Sequence, residues 1–185
     1  MRSLLISILV YFFAVTSATS GDLFELGIKA GANVTNPRGL ADGISGTGDF
    51  TFMFGAMGQV GIMDFLSVGA EIIYEGRRFV LTTTLPADST REVNIGSLNI
   101  PLYVRIGLPL RFSAELGIEA SRLLSNDSGL NSGFQGLALL GLSWHPIDAI
   151  RIGARFQPSF SPLEISGIED IGLNVSHFYV AWIIL

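Results

Sequence analysis

Residues 24–34 have the sequence FELGIKAGANV, in which apolar and polar positions alternate strictly. Every even position is apolar, while the odd positions hold Glu25, Lys29, Asn33 and two glycines. Successive side chains of a β-strand point to opposite faces, so the pattern predicts a strand. One face of that strand meets an apolar environment and the other a polar one.

The same alternation returns seven more times along the chain. Transmembrane β-strands need about 9–11 residues, and an even number of antiparallel strands closes into a barrel without edges. We therefore predict an all-β fold, an eight-stranded antiparallel up-and-down transmembrane β-barrel, over residues 21–185. The predicted strands are 24–34, 50–61, 66–77, 98–108, 112–120, 134–144, 150–160 and 173–185.

The connections between these strands alternate in length. Short ones fall at 62–65, 109–111 and 145–148, and longer ones, rich in Gly, Pro, Asn, Asp and Ser, at 35–49, 79–94, 125–133 and 161–172. Short periplasmic turns and long outer loops are typical of outer-membrane barrels. This interpretation leaves both termini on the periplasmic side.

The first 20 residues have the composition of a signal peptide. Arg2 precedes an apolar run of about twelve residues, Leu4–Val15, and small residues follow up to Ser20. The run has the length of a signal-peptide core and is too short to span a bilayer as a helix. We predict cleavage before Gly21; the alternative is an N-terminal anchor that stays attached.

Charged residues at the odd positions predict a polar lumen. Five acidic and five basic side chains share this face, and such parity suits a narrow lumen because an unpaired buried charge is costly. Glycines on the same face leave room for long side chains. The predicted lumen salt-bridge network consists of Glu25, Lys29, Glu71, Glu75, Arg77, Arg105, Glu115, Glu119, Arg151 and Arg155.

Aromatic residues cluster near the predicted strand ends, as the interfacial girdles of a membrane barrel do. The predicted periplasmic girdle is Phe24, Phe65, Phe112, Trp144 and Trp182. The predicted outer girdle is Phe50, Phe52, Tyr74, Phe156 and Phe160, together with Phe79 and Phe134.

Two soluble folds also accept alternating strands. A β-sandwich would bury the apolar faces between two sheets, and a lipocalin-like barrel would turn them inward around a ligand. The charge parity, the girdles and the nearly uninterrupted apolar faces favour the membrane barrel.

Three stretches resemble a known family when taken in order. They are GIKAGAN at 27–33, DFLSVGAEIIY at 64–74 and LNIPLYVR at 98–105. Together they resemble the PorT-like outer-membrane β-barrel family of Bacteroidota-type bacteria. The resemblance implies an eight-stranded barrel in the outer membrane of a Gram-negative cell, and it implies no residue roles. Some relatives are linked to secretion or surface assembly.

Composition and motifs exclude several function classes. The chain has no Cys, which excludes a disulfide scaffold, a thiolate metal site and a Cys nucleophile, and its net charge of −5 argues against nucleic acid as a partner. Adjacent Ser176 and His177 would point to opposite faces of a strand, and His145 precedes a proline in a predicted turn. We therefore predict no enzyme, no catalytic residues, no metal site and no cofactor; the alternative is a lipid-modifying barrel enzyme.

The predicted function is structural or recognitional. Eight strands make a barrel that side chains can fill, so we expect a closed lumen rather than a porin. Recognition would then lie in the outer loops. The expected partners are outer-membrane lipids and an unidentified envelope protein, and the alternatives are an accessory role in secretion or surface assembly and a soluble ligand-binding barrel.

Overall fold

The computed structural model describes residues 24–40, 43–83, 89–124, 133–161, 163–165 and 168–185. The predicted signal peptide lies outside these residues. The strands are β1 (Phe24–Arg38), β2 (Ile44–Gly48), β3 (Phe50–Met63), β4 (Leu66–Thr83), β5 (Ser89–Gly107), β6 (Phe112–Leu123), β7 (Phe134–Ile147), β8 (Ile150–Pro158), β9 (Leu163–Ile165) and β10 (Ile168–Ile183).

Eight of these strands form a closed antiparallel ring. Its order is β1-β3-β4-β5-β6-β7-β8-β10, and β10 pairs back onto β1 from Gly27–Ile183 to Arg38–Gly172. The predicted eight-stranded antiparallel barrel is thereby confirmed. Closure pairs the two edge strands of the sheet with each other. A barrel in lipid requires this, because the hydrocarbon contains no water to which unpaired backbone groups could hydrogen-bond.

The two ends of the barrel differ. At the turn end, which holds Phe24 and Leu185, tight connections lie at Asp64–Phe65, Pro109–Arg111 and Asp148–Ala149. The opposite end, the loop end, carries the longer connections and the two short strands β2 and β9, which pair with β4 and β10.

Away from the loop end, the outer surface of the ring is apolar. Large hydrophobic side chains point outward from most of its strands, including Ile72 at 60% exposure and Ile118 at 58%. An exposed apolar band of this size needs lipid around it. The two soluble alternatives are therefore wrong, because each required the apolar faces to lie inside.

The predicted girdle residues lie at the two ends of this band. At the turn end Phe65, Phe112, Trp144 and Trp182 are exposed and Phe24 is half-buried; Phe50, Phe52, Tyr74, Phe134, Phe156 and Phe160 are exposed towards the loop end. Phe112 and Trp144 stack with ring centroids 6.2 Å apart. The placement of Phe79 in the outer girdle was wrong, since its side chain is fully buried inside the barrel.

Several predicted loops were wrong in part, because strands extend into them. The segment 79–94 holds the ends of β4 and β5, which pair as far as Thr83 and Ser89. Strand β2 lies within 35–49, and β9 and the start of β10 lie within 161–172. Strand β7 likewise continues to Ile147, so the last turn is shorter than predicted. The loop end is consequently a paired extension of the barrel wall.

Candidate functional site: the charged lumen

The lumen is filled in layers by side chains from the odd positions. An apolar cluster occupies the loop end, and the rest holds polar and charged side chains together with a second, smaller apolar cluster around Met57 and Ile73. The apolar cluster consists of Phe79, Leu81, Val93, Ile95, Leu123, Ile171 and Leu173, with Leu40 packed against it. The structure places all ten predicted network residues in the charged layers, where they form two groups.

The larger group, which we call the seven-residue chain, alternates in charge along its length. Its order is Lys29–Glu71–Arg155–Glu115–Arg105–Glu25–Arg151. Each carboxylate thus lies between two cations. Alternation compensates buried charge, since each carboxylate that loses water lies beside two cations.

Arg155 links two carboxylates of this chain. Its Nη1 and Nη2 donate to Glu71 at 2.8 and 2.7 Å, and its Nε donates to Glu115 at 2.7 Å. Arg155 comes from β8 and Glu71 from β4, which lie opposite each other in the ring. The side chains of Arg155 and Glu71 together therefore span the lumen.

Two tyrosines enclose this guanidinium. Its carbon lies 4.7 Å from the ring centroid of Tyr103 and 5.1 Å from that of Tyr179, distances at which a cation is attracted to a ring face. Each ring lies over a glycine of the neighbouring strand, Tyr103 over Gly69 and Tyr179 over Gly153. A Cβ at either glycine would enter the ring, so the glycines make the space that the tyrosines occupy.

The smaller group lies towards the loop end. Arg77 Nε donates to Glu75 at 2.6 Å and its Nη2 to Glu119 at 3.4 Å. Asn33 Nδ2 donates to Glu75 at 3.2 Å, and Gln157 Nε2 donates to Glu119 at 2.8 Å. This group thus has two carboxylates for one arginine, compensated in part by amide donors.

His177 is a lumen residue that sequence reasoning missed. It is fully buried, and its Nε2 lies 2.8 Å from Glu75 Oε2. Its odd position in β10, in phase with lumen-facing Tyr179, was the available signal. Ser176 alternates with it along the strand and does not share its face.

The prediction of His145 as a solvated turn residue was wrong. It belongs to β7 and is half-buried, and its Nε2 accepts a hydrogen bond of 2.6 Å from Arg151 Nε. A ring nitrogen that accepts carries no proton, so the imidazole is neutral here. His145 therefore supports the guanidinium of Arg151 and adds no charge.

Within the described part of the chain, no group of three or more His, Asp or Glu side chains could hold a metal ion. Among the same residues, no helix is long and apolar enough to cross a membrane. The absence of catalysis stays a prediction.

Comparison with solved structures finds small barrels of the same architecture, among them the following two. Neisserial surface protein A (NspA) is 9% identical with a TM-score of 0.54, and the match covers 85% of this chain and 96% of NspA. Ail, the attachment invasion locus protein of Yersinia pestis, is 12% identical with a TM-score of 0.54, over 88% of this chain and 99% of Ail. This is the fold of the small outer-membrane β-barrels. At such identities the likeness shows the fold alone.

No protein-family model matches the chain, and no curated protein matches it. The PorT-like resemblance therefore stays a prediction, while the barrel itself is established by the ring of eight strands.

Proposed function

We propose that this barrel is an integral outer-membrane protein of a Gram-negative bacterium that presents its loop end at the cell surface. Its apolar outer band supports a lipid environment. Bacterial outer membranes are where closed antiparallel barrels with short turns on one side and long connections on the other occur. By that asymmetry the turn end faces the periplasm, and residues 21–185 reach the membrane after a signal peptide is removed.

The observation that carries a non-channel role is the bridging guanidinium of Arg155, which lies across the lumen between Glu71 and Glu115. The apolar cluster around Phe79 fills the lumen nearer the loop end. Solutes would have to displace both layers, so the barrel acts as a closed, salt-bridged support rather than a porin.

A closed, rigid barrel is best suited to recognition at the cell surface through its loop end. The paired ends of β4 and β5 extend past the apolar outer band as far as Thr83 and Ser89, and the apolar cluster packs against them inside the barrel. Two neighbours with this fold are described as a surface protein and as an attachment invasion locus protein. We propose the same class of role here; an accessory role in secretion or surface assembly is the alternative.

Cysteine labelling in whole cells tests this orientation. The chain has no Cys, so a single introduced thiol is specific. Ser89→Cys lies at the loop end and Asp64→Cys at the turn end, both at exposed positions. A large membrane-impermeant polyethylene glycol maleimide should label Ser89→Cys in intact cells and Asp64→Cys only after the outer membrane is permeabilised. Labelling of the turn-end thiol in intact cells would contradict the proposal.

A further inference from the structure

An arginine on the outer wall of the barrel lies at the edge of the apolar band. Arg122 is the last outward-facing residue of β6, and its side chain is exposed. It pairs with Leu98 of β5 and Phe134 of β7, and Leu124 follows it towards the loop end. Phe134 is 76% exposed and Leu124 is 50% exposed, so apolar side chains surround the arginine and continue past it.

Arg122 differs from another exposed arginine of the wall in its contacts. Arg78 lies 3.4 Å from Asp49 and 3.4 Å from Glu92. The guanidinium carbon of Arg122 instead lies 6.0 Å from the ring centroid of Phe134, at the outer limit of a cation–π contact. Within the described part of the chain, no carboxylate forms a salt bridge with it. Its charge therefore needs an anion from the surroundings.

The height of Arg122 matches the boundary between hydrocarbon and headgroups. Ile118 lies midway along β6, and Arg122 is two outward-facing positions closer to the loop end. At about 3.4 Å per residue and a strand tilt of about 40°, Arg122 lies about 10 Å above Ile118 along the membrane normal. The apolar band of such barrels extends about 12 Å to either side of its middle. A long arginine side chain at this height extends its charged end to the headgroups.

We propose that Arg122 binds the phosphate of a lipid headgroup in the leaflet at the loop end. Hydrocarbon cannot solvate a guanidinium, and the lipid phosphates are the anions that lie at its height. A guanidinium matches phosphate oxygens through two parallel N–H donors, and the ring of Phe134 lies beside it. The contact fixes the height of the barrel in that leaflet. This inference rests on the membrane location proposed above.

Solid-state NMR detects such a contact directly. Residues 21–185 with isotope-labelled arginine are refolded into phosphatidylcholine vesicles, and the dephasing of guanidinium carbons by lipid phosphorus is measured. The variants Arg122→Gln and Arg78→Gln assign the two signals. We expect strong dephasing at Arg122 and little at Arg78, whose guanidinium lies between two carboxylates. Equal dephasing of both signals, or none at Arg122, would overturn the proposal.

The stability of Arg122→Gln distinguishes a lipid phosphate from a partner within the protein. Folding equilibria are measured by urea titration in phosphatidylcholine and in digalactosyl diacylglycerol, a lipid that is also uncharged overall but has no phosphate. We expect the substitution to lower the folding equilibrium constant about 10-fold in phosphatidylcholine, the size of one hydrogen bond to a charged group, and to cause no loss in the galactolipid. Arg78→Gln is the matched control and should have the same small effect in both lipids.

Equal losses for Arg122→Gln in the two lipids would contradict the proposal. They would indicate a partner within the chain, such as Asp127, which lies outside the described residues. Inorganic phosphate added to the galactolipid vesicles provides a second check. If it stabilises the wild type but not Arg122→Gln, the arginine is a general anion site and the assignment to a lipid is wrong.

Insertion into each lipid is measured separately, by the gel shift of unboiled samples. A barrel that inserts into both lipids but shows no dephasing at Arg122 overturns this inference and leaves the membrane location intact. A barrel that inserts into neither lipid overturns both.

Discussion

Replacing Arg155 by methionine is expected to lower the free energy of unfolding by about 3–5 kcal/mol, the usual cost of removing one partner from a buried ion pair. Methionine keeps much of the volume but leaves Glu71 and Glu115 each with one cation fewer in the lumen. The measurement is urea unfolding in micelles, followed by tryptophan fluorescence.

Arg78→Met is the matched control for this substitution. Arg78 is also a strand arginine with two carboxylate neighbours, Asp49 and Glu92, each at 3.4 Å. Its side chain is 44% exposed on the outside of the barrel, so we expect a loss of about 0–1 kcal/mol. Equal urea midpoints for the two variants would mean that the lumen network contributes no more than a surface pair.

Replacing Ile118 by arginine should impair insertion of the barrel into a bilayer. Ile118 lies midway along β6 on the outer surface, at 58% exposure. An arginine facing lipid at the bilayer midplane costs about 2–4 kcal/mol, because the hydrocarbon cannot solvate it. The measurement is the free energy of folding into phosphatidylcholine vesicles, obtained by urea titration.

The matched control for Ile118→Arg lies at the end of the apolar band. Ile147 is exposed to a similar extent, at 56%, but it ends β7 beside the turn at Asp148. Near the interface the same substitution costs about 0–1 kcal/mol, since the guanidinium reaches water. A barrel with a wet outer surface would show the same small effect at both positions.

The strand faces could be predicted from sequence because lipid and a charged lumen demand opposite side chains. Glu115 and Leu116 illustrate this, since the carboxylate is fully buried while the adjacent leucine is 47% exposed, the reverse of the usual order. No soluble fold maintains that inversion around a whole ring. Alternation therefore predicted the strands and their number, and together with the charge parity it predicted the ten charged residues that point inward.

The extent of the loop end could not be predicted because the polarity of the pattern reverses there. Phe79 and Val93 point inward and are fully buried, while Arg78 and Glu92 point outward and are exposed. Past the membrane the outer surface meets water, and the lumen can pack like an ordinary core. A prediction that assigns strands by charged residues on the inner face therefore ends each strand where this reversal begins.

The pairing inside the lumen was also beyond the sequence. Equal numbers of acidic and basic residues predicted overall balance, but the structure divides them into four cations with three carboxylates and one arginine with two. That division depends on which strands lie opposite each other. Arg155 contacts Glu71 across the ring, 84 residues away in sequence, so the local spacing of residues could not predict the contact.

The most direct test of a lipid-facing apolar surface around a charged lumen is refolding of residues 21–185 from urea, with and without maltoside micelles. Far-UV circular dichroism and a denaturing gel of unboiled and boiled samples are the two readouts. A β spectrum that forms only with micelles, together with a gel band that shifts on boiling, is the predicted result. A monomeric β protein that folds in plain buffer would contradict it, because its apolar side chains would then have to lie inside.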